Sequence, residues 1–264
     1  MKSSALFAII SSCLLFACEI PITIDLNSSD PKIVIVGSIA DVSGGHTVKI
    51  TKTVNFDEAN EFPTVSGALV TISDDAGNAE TLTETSPGIY STTSLQGVPG
   101  RTYTLEVTVE GRTHKAISTM PLPVEIDSVT VGRGQDIPIE ASVTFRDPAG
   151  IDNYYRLTQI ADGNITPNGI VDDDRLQDGG IITISAPVVT RSGSIMPRPG
   201  DQVTVMLQSI DKNVYEYMRM LFELEQEGVL GQTALSANPT SNINNGALGY
   251  FSAYSRSVKT IVVE

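Results

Sequence analysis

The chain has 264 residues, with 31 Asp and Glu against 17 Lys and Arg, two His, two Cys and no Trp, for a formal net charge of −14. An acidic chain of this kind is repelled by phosphate backbones and anionic head groups, which argues against nucleic acid and a bare anionic bilayer as partners. Both cysteines fall within the first 18 residues, so a disulfide framework and a cysteine zinc site are excluded, and a hydrophobic core has to hold the fold.

Lys2 gives a positive start, and Ala5 to Ala17 is an apolar run broken only by Ser11 and Ser12. It is too short to span a bilayer and has the form of a secretory h-region. Leu15-Phe16-Ala17-Cys18 places a small residue before a cysteine, as in a bacterial lipobox. Residues 1–17 therefore read as a lipoprotein signal peptide and Cys18 as the lipidation site. Cleavage removes Cys13 and acylation consumes Cys18, leaving no thiol for a metal or a nucleophile. Residues 18–31 read as the lipidated tether, reaching at most ~45 Å when fully extended. Several acyl chains on one cysteine anchor firmly where one alone is marginal.

From residue 32 the pattern becomes period two. Ile33-Val34-Ile35-Val36 suits a strand buried on both faces; Val48 and Ile50 alternate with Lys49 and Thr51. Val70 and Ile72 run into Ser73-Asp74-Asp75-Ala76-Gly77-Asn78, which is turn chemistry. Tyr103, Leu105, Val107 and Val109 share one side of TYTLEVTVE. Short strands with frequent turns and no helix predict an antiparallel immunoglobulin-like β-sandwich over 32–120, able to fold alone. Met120-Pro121-Leu122-Pro123 marks the junction, because neither proline can continue a strand ladder.

The second region, 121–264, is expected to be another β-sandwich. Strands are predicted at 126–129, 141–145, 154–160, 181–185 and 203–210. The period then changes: Asp211 caps a helix near 211–228, with Val214, Met218, Leu221 and Phe222 on one face and Gly228 at its end. Two strands are predicted after it, at 248–254 and 258–263. Between them and the helix, SNINNGALGYFSAYS lacks the lysine and helix start of a phosphate cradle, so it reads as a shaped loop feeding a strand. Phe251 is expected inward against the helix, with Tyr250 and Tyr254 on the opposite face, either as partner-facing candidates or as cover for a second layer of core.

Candidate chemistry is sparse. His46 and His114 both adjoin glycine turns and read as surface histidines, so no nucleophilic triad is expected. Asp172, Asp173 and Asp174, with Asp178 nearby, read first as a solvated acidic loop. Their carboxylates also make them the calcium candidates, although the alternating spacing of an EF-hand loop is missing. No motif calls for any other cofactor or for a catalytic residue.

The motifs IVIVGSIAD, VSGALVTISDDAGN, GIYSTTSLQGVPGRTYTLEV, MPLPVEIDSV, DPAGIDNYYRL, SIDKNVYEYM and NPTSNINNGALGYFSAYS follow one another in the order that resembles a Bacteroidota lipoprotein family, domain of unknown function 4249. The resemblance spans nearly the whole mature chain. It implies an outer-membrane lipoprotein, held by the lipid on Cys18 and encoded beside a TonB-dependent receptor, and it carries over no catalytic residues. The expectation is a non-enzymatic accessory or substrate-binding partner of a TonB-dependent β-barrel transporter, its cargo unspecified. The alternative is a structural or adhesive surface module. Only Glu19 follows Cys18 directly, whereas a surface-export signal in these bacteria is a denser acidic run; the face of the outer membrane stays open.

Overall fold

The computed structural model describes residues 30–55, 61–133, 139–161, 164–166, 169–190, 193, 197–230 and 238–264. The signal peptide, Cys18 and the tether to residue 29 lie outside the described residues. The chain is mainly β, with β1 (Ile33–Ala40), β2 (Thr47–Lys52), β3 (Leu69–Asp74), β4 (Ala79–Thr81), β5 (Thr83–Ser86), β6 (Ile89–Ser91), β7 (Thr102–Val109) and β8 (Arg112–Thr119) before the proline junction. After it come β9 (Ile126–Arg133), β10 (Ile139–Arg146), β11 (Tyr154–Ala161), β12 (Asn164–Ile165), β13 (Ile170–Asp173), β14 (Ile181–Pro187), β15 (Gln202–Ile210), α1 (Lys212–Leu230) and β16 (Leu248–Val262).

Local pattern explains the strands well. In β7 the four residues Tyr103, Leu105, Val107 and Val109 are all buried, as period two requires. The turn after β3 is built by Asp74, whose Oδ1 accepts Ala76 N at 3.1 Å and Asn78 N at 2.8 Å. Strand β1 departs from expectation: Ile35 and Ile39 are fully buried but Val36 is 36% exposed, so its apolar run is not covered on both faces.

The strands form two sandwiches that share one sheet. A nine-stranded sheet runs β12-β11-β15-β16-β1-β2-β6-β5, with β13 beside β11. A four-stranded sheet, β4-β3-β7-β8, faces its β1–β2–β6 end, and a three-stranded sheet, β14-β10-β9, faces its β11–β15 end. Core membership changes across the prolines: Met120 belongs to the first core and Val124 to the second.

Strand β16 joins the two. The strands expected at 248–254 and 258–263 are one, because Ser255-Arg256-Ser257 contains no glycine, proline, asparagine or aspartate and every residue from 248 to 262 keeps a partner. Its first half runs parallel to β1, from Val34↔Leu248 to Ala40↔Tyr254. Its second half runs antiparallel to β15, from Ser209↔Ser255 to Gln202↔Val262. Odd residues point to one face throughout: Phe251 and Ala253 enter the first core, and Ile261 packs on the second. Residues 243–254, expected in the second unit, therefore complete the first. Phe251, expected against α1, instead joins Ile35, Val48, Leu105 and Ala116 in the first core.

The SNINNG loop secures this crossing. Asn242 imitates a strand, with Nδ2 donating to Phe251 O at 2.8 Å and Oδ1 accepting Phe251 N at 3.0 Å. Asn244 Oδ1 accepts Lys115 N at 2.8 Å, and Asn245, at φ 56°, donates from Nδ2 to Thr113 O at 2.7 Å. The loop thereby covers the β8 edge, which would otherwise present unpaired backbone groups. Gly249 is obligatory: its φ is +95°, and a Cβ there would lie 2.0 Å from Ile35 O.

Helix α1 covers the other face of the shared sheet. Asp211 caps it, with Oδ1 accepting Val214 N at 3.0 Å. Val214 and Tyr215 are buried against Ala40, Ile210 and Tyr254, with Met218 and Tyr250 alongside. The apolar stripe then outruns its support, since Leu221 and Phe222 are exposed. Among the described residues no helix is long and apolar enough to cross a membrane.

Candidate functional site

The end of the second sandwich next to α1 gathers the acidic residues. Two short strands bring them there: β13 runs against β11, pairing Tyr154 with Asp173, and the chain turns through 174–180 into β14. The four predicted carboxylates do not form one group. Asp173 faces α1, where its carboxylate accepts from Arg175 Nε at 2.8 Å and Tyr215 Oη at 2.6 Å. Burial raises the Asp173 pKa, but these bonds outweigh it and hold the carboxyl below its ordinary range. Tyr215 moves the opposite way, pushed up to about 12 by burial and by the Asp173 charge. That phenol is a fixed donor, not a base at neutral pH. The neighbouring Asp172 shifts the other way, because burial raises its carboxyl pKa.

A groove of about 470 Å³ runs along Asp172, Asp173, Arg175, Gln177 and Tyr215. A second, of about 380 Å³, shares Asp173, Arg175 and Tyr215 and extends to Lys212, Glu216 and Arg219 on α1. Both signs of charge alternate around these grooves. Such a surface suits polar contacts spread over an area and offers no concentrated charge for one anion or cation.

Asp174 and Asp178 turn away from this face and meet Asp147, which sequence reasoning used only as part of a family motif. Asp147 opens the β10–β11 loop, and its oxygens accept from Tyr155 Oη at 2.5 Å and Gly179 N at 2.9 Å. Asp174 Oδ2 accepts Asn153 N at 2.9 Å, and Asp178 Oδ1 accepts Gly150 N at 2.7 Å. Asp147 and Asp174 are each 3% exposed. The available signal was an acidic residue opening a proline- and glycine-rich loop, DPAG; nothing local says which distant loop it meets.

Both histidines are buried, contrary to the surface reading. His46 Nδ1 accepts Ala40 N at 3.3 Å, and its Nε2 lies 2.9 Å from Val42 O. Burial lowers the His46 pKa, so the ring stays neutral and serves the β1–β2 connection. His114 lies inward in β8, with Nδ1 3.3 Å from Asn244 O. Each ring is held by backbone groups and belongs to the fold.

Tyr250 and Tyr254 also fall elsewhere than expected. They do occupy the face opposite Phe251, but α1 covers that face. Tyr254 is only 9% exposed and packs with Ile210 and Val214. Tyr250 is half-buried, its ring 5.0 Å from that of Tyr217 on α1. Both tyrosines form the seat of the helix, so of the two readings the second core layer holds and the partner-facing one is corrected. Cys18, the lipidation site, lies outside the described residues.

The chain belongs to the family described as Domain of unknown function (DUF4249), which matches residues 19–260. A comparison with curated proteins finds no match. Among solved structures, a two-domain fibronectin type-III segment from chicken tenascin is similar at 16% identity, covering 68% of this chain and 91% of that one, with a TM-score of 0.21. At that identity and score the likeness adds nothing to the architecture already described.

Proposed function

We propose that this DUF4249 member is a non-enzymatic cell-envelope lipoprotein, anchored in the outer membrane through Cys18 and acting as an accessory or substrate-binding partner of a TonB-dependent transporter. The observation that carries the reading is the apolar run Ala5 to Ala17 ending at Ala17-Cys18, in a chain with no later cysteine. The residues after Cys18 supply reach, and the double sandwich supplies a rigid body held by its own core. A non-catalytic role is supported by the use of both histidines as backbone ligands within the fold and by the pairing of Asp173 with Arg175. The mixed-charge grooves beside α1 favour polar recognition of a partner or cargo over bond-breaking chemistry.

The test is affinity purification of the full protein from native membranes in mild detergent. Co-purification of a large β-barrel is expected; repeated isolation of the protein alone would overturn the transporter half and leave a structural or adhesive module. The Cys18→Ala variant is expected to leave the membrane fraction, because acyl chains contribute about 0.8 kcal/mol per buried methylene. Its retention after a high-salt wash would refute the lipid anchor.

A further inference from the structure

We propose that the space between α1 and the shared sheet is a binding site for a small oxyanion of the sulfate or phosphate type. The site is independent of the transport reading and shares no lining residue with the mixed-charge grooves.

Three observations carry the assignment. The first is where the polar side chains stand. The face of the sheet under α1 holds the even positions of β16, so Tyr250, Ser252 and Tyr254 share it. Ser38 is the register partner of Ser252 across the parallel β1–β16 pair, and Gln208 is that of Arg156 across β11–β15. All six line one cavity of about 80 Å³, which Val214 of α1 closes on the helix side. The layer between a helix and a sheet is ordinarily apolar, as it is nearby where Ile210, Val214 and Tyr215 pack together.

The second is unmet hydrogen-bonding capacity. Ser252 is 4% exposed and Gln208 2%, so neither is open to bulk solvent. Among the described residues no hydrogen-bond partner reaches the hydroxyls of Ser38, Tyr250, Ser252 or Tyr254. The Gln208 amide meets only the Met206 thioether, 4.0 Å from its Nε2. A buried polar group left unpaired is costly, and here several such groups line the same space. A ligand with several hydrogen-bonding atoms satisfies them together.

The third is charge. Arg156 brings a guanidinium to the wall, and among the described residues no carboxylate lines the cavity. Burial raises the Tyr254 pKa against the pull of the Arg256 and Arg156 charges, so the phenol is a donor at neutral pH. The lining therefore offers donors from several sides and no negative charge to repel an anion.

The donor set and the volume select the ligand. A guanidinium and hydroxyls donate to oxygen, and a tetrahedral oxyanion presents oxygens in every direction to donors that come from separate strands. A cation would find no carboxylate to balance it. The cavity is well under the ~300 Å³ of a pocket for a drug-sized ligand, so it admits one small ion and excludes a sugar or a nucleotide. Placement gives the ion a structural consequence. Ser38 stands on β1 of the first sandwich and Arg156 on β11 of the second, so the ion bridges the two units beneath α1.

Sodium sulfate and sodium phosphate are titrated into the full protein by calorimetry at constant ionic strength, with sodium chloride as the control. One ion per chain is expected, and chloride should give no saturable heat. Ser252→Ala removes one hydroxyl from a strand that keeps its backbone bonds, so it should fold as the wild type does while binding about tenfold or more weakly. Arg156→Gln should weaken binding at least as much. Arg112→Gln, which removes an equal charge from the exposed start of β8, should bind as the wild type does. The proposal is overturned if the folded wild type gives no saturable heat with either ion at millimolar concentration, since water then fills the cavity. It is equally overturned if Ser252→Ala binds as tightly as wild type, or if Arg112→Gln weakens binding as much as Arg156→Gln, since attraction to surface charge would then account for the heat. Should Arg156→Gln fail to fold, Ser252→Ala alone decides the matter.

Discussion

Glutamine at position 80 isolates one charge that holds a long loop onto the first sandwich. Glu80 sits in β4 and reaches the segment after β6. Its Oε1 accepts Thr93 N at 2.5 Å and Thr93 Oγ1 at 2.7 Å, while Oε2 accepts Ser94 N and Oγ at 3.2 Å each and Leu95 N at 2.6 Å. Burial alone would raise this carboxyl, but five donors outweigh it and lower its pKa from 4.5 to about 2. The folded value is depressed, so the stabilisation is present above pH 4.5 and is lost as pH falls through that value toward 2. The full shift corresponds to ~3 kcal/mol at 1.36 kcal/mol per unit, and partial solvation of the carboxylate brings the expected figure to about 1–2 kcal/mol. Glu80→Gln replaces one acceptor by an NH₂ group aimed at donors, so it should lower stability by that amount at pH 7. Urea unfolding of both proteins between pH 7 and pH 3 measures it. The gap should narrow by roughly half or more by pH 3, because the wild type loses its advantage while the variant has none to lose. A gap equal at pH 7 and pH 3 would refute the electrostatic account.

Phe251→Ala should cost about 3–5 kcal/mol in urea unfolding, since the ring is fully buried in the first core. Gly249→Ala should destabilise much more than Gly246→Ala: both glycines have positive φ, but only at Gly249 would the new Cβ strike backbone, and equal effects would show that the β1–β16 contact yields. Asp211→Ala should remove about 1 kcal/mol or more of helix stability, because the carboxylate caps Val214 N and also accepts from Ser118 Oγ, and the helical circular-dichroism signal should melt earlier than in the wild type. A fragment of residues 30–120 should show no cooperative thermal transition, because β1 loses its β16 neighbour and the core loses Ile243, Ala247, Phe251 and Ala253; adding a peptide covering 238–256 should restore one.

Whatever depends on neighbours within a few residues was legible in the chain itself. Alternation placed Tyr103, Leu105, Val107 and Val109 inward because successive side chains of any strand point to opposite faces. Asp74 and Asn78 announced their turn, and Asp211 announced the start of α1, because both are side chains bonding nearby backbone. The alternation of GYFSAYS separated Phe251 from Tyr250 and Tyr254 correctly, yet it could not say what covers either face. That was decided by the shared sheet, in which one uninterrupted strand reaches back across more than 200 residues to lie beside β1. Pairing of distant strands depends on which edge remains free after all the others have formed, and a local period carries no record of it. The same reason hid the meeting of three aspartates at one end of the second sandwich. Asp174 and Asp178 stood in a visible acidic run, but Asp147 joins them only because β10 and β14 are neighbours and bring their two loops to one end of the sandwich.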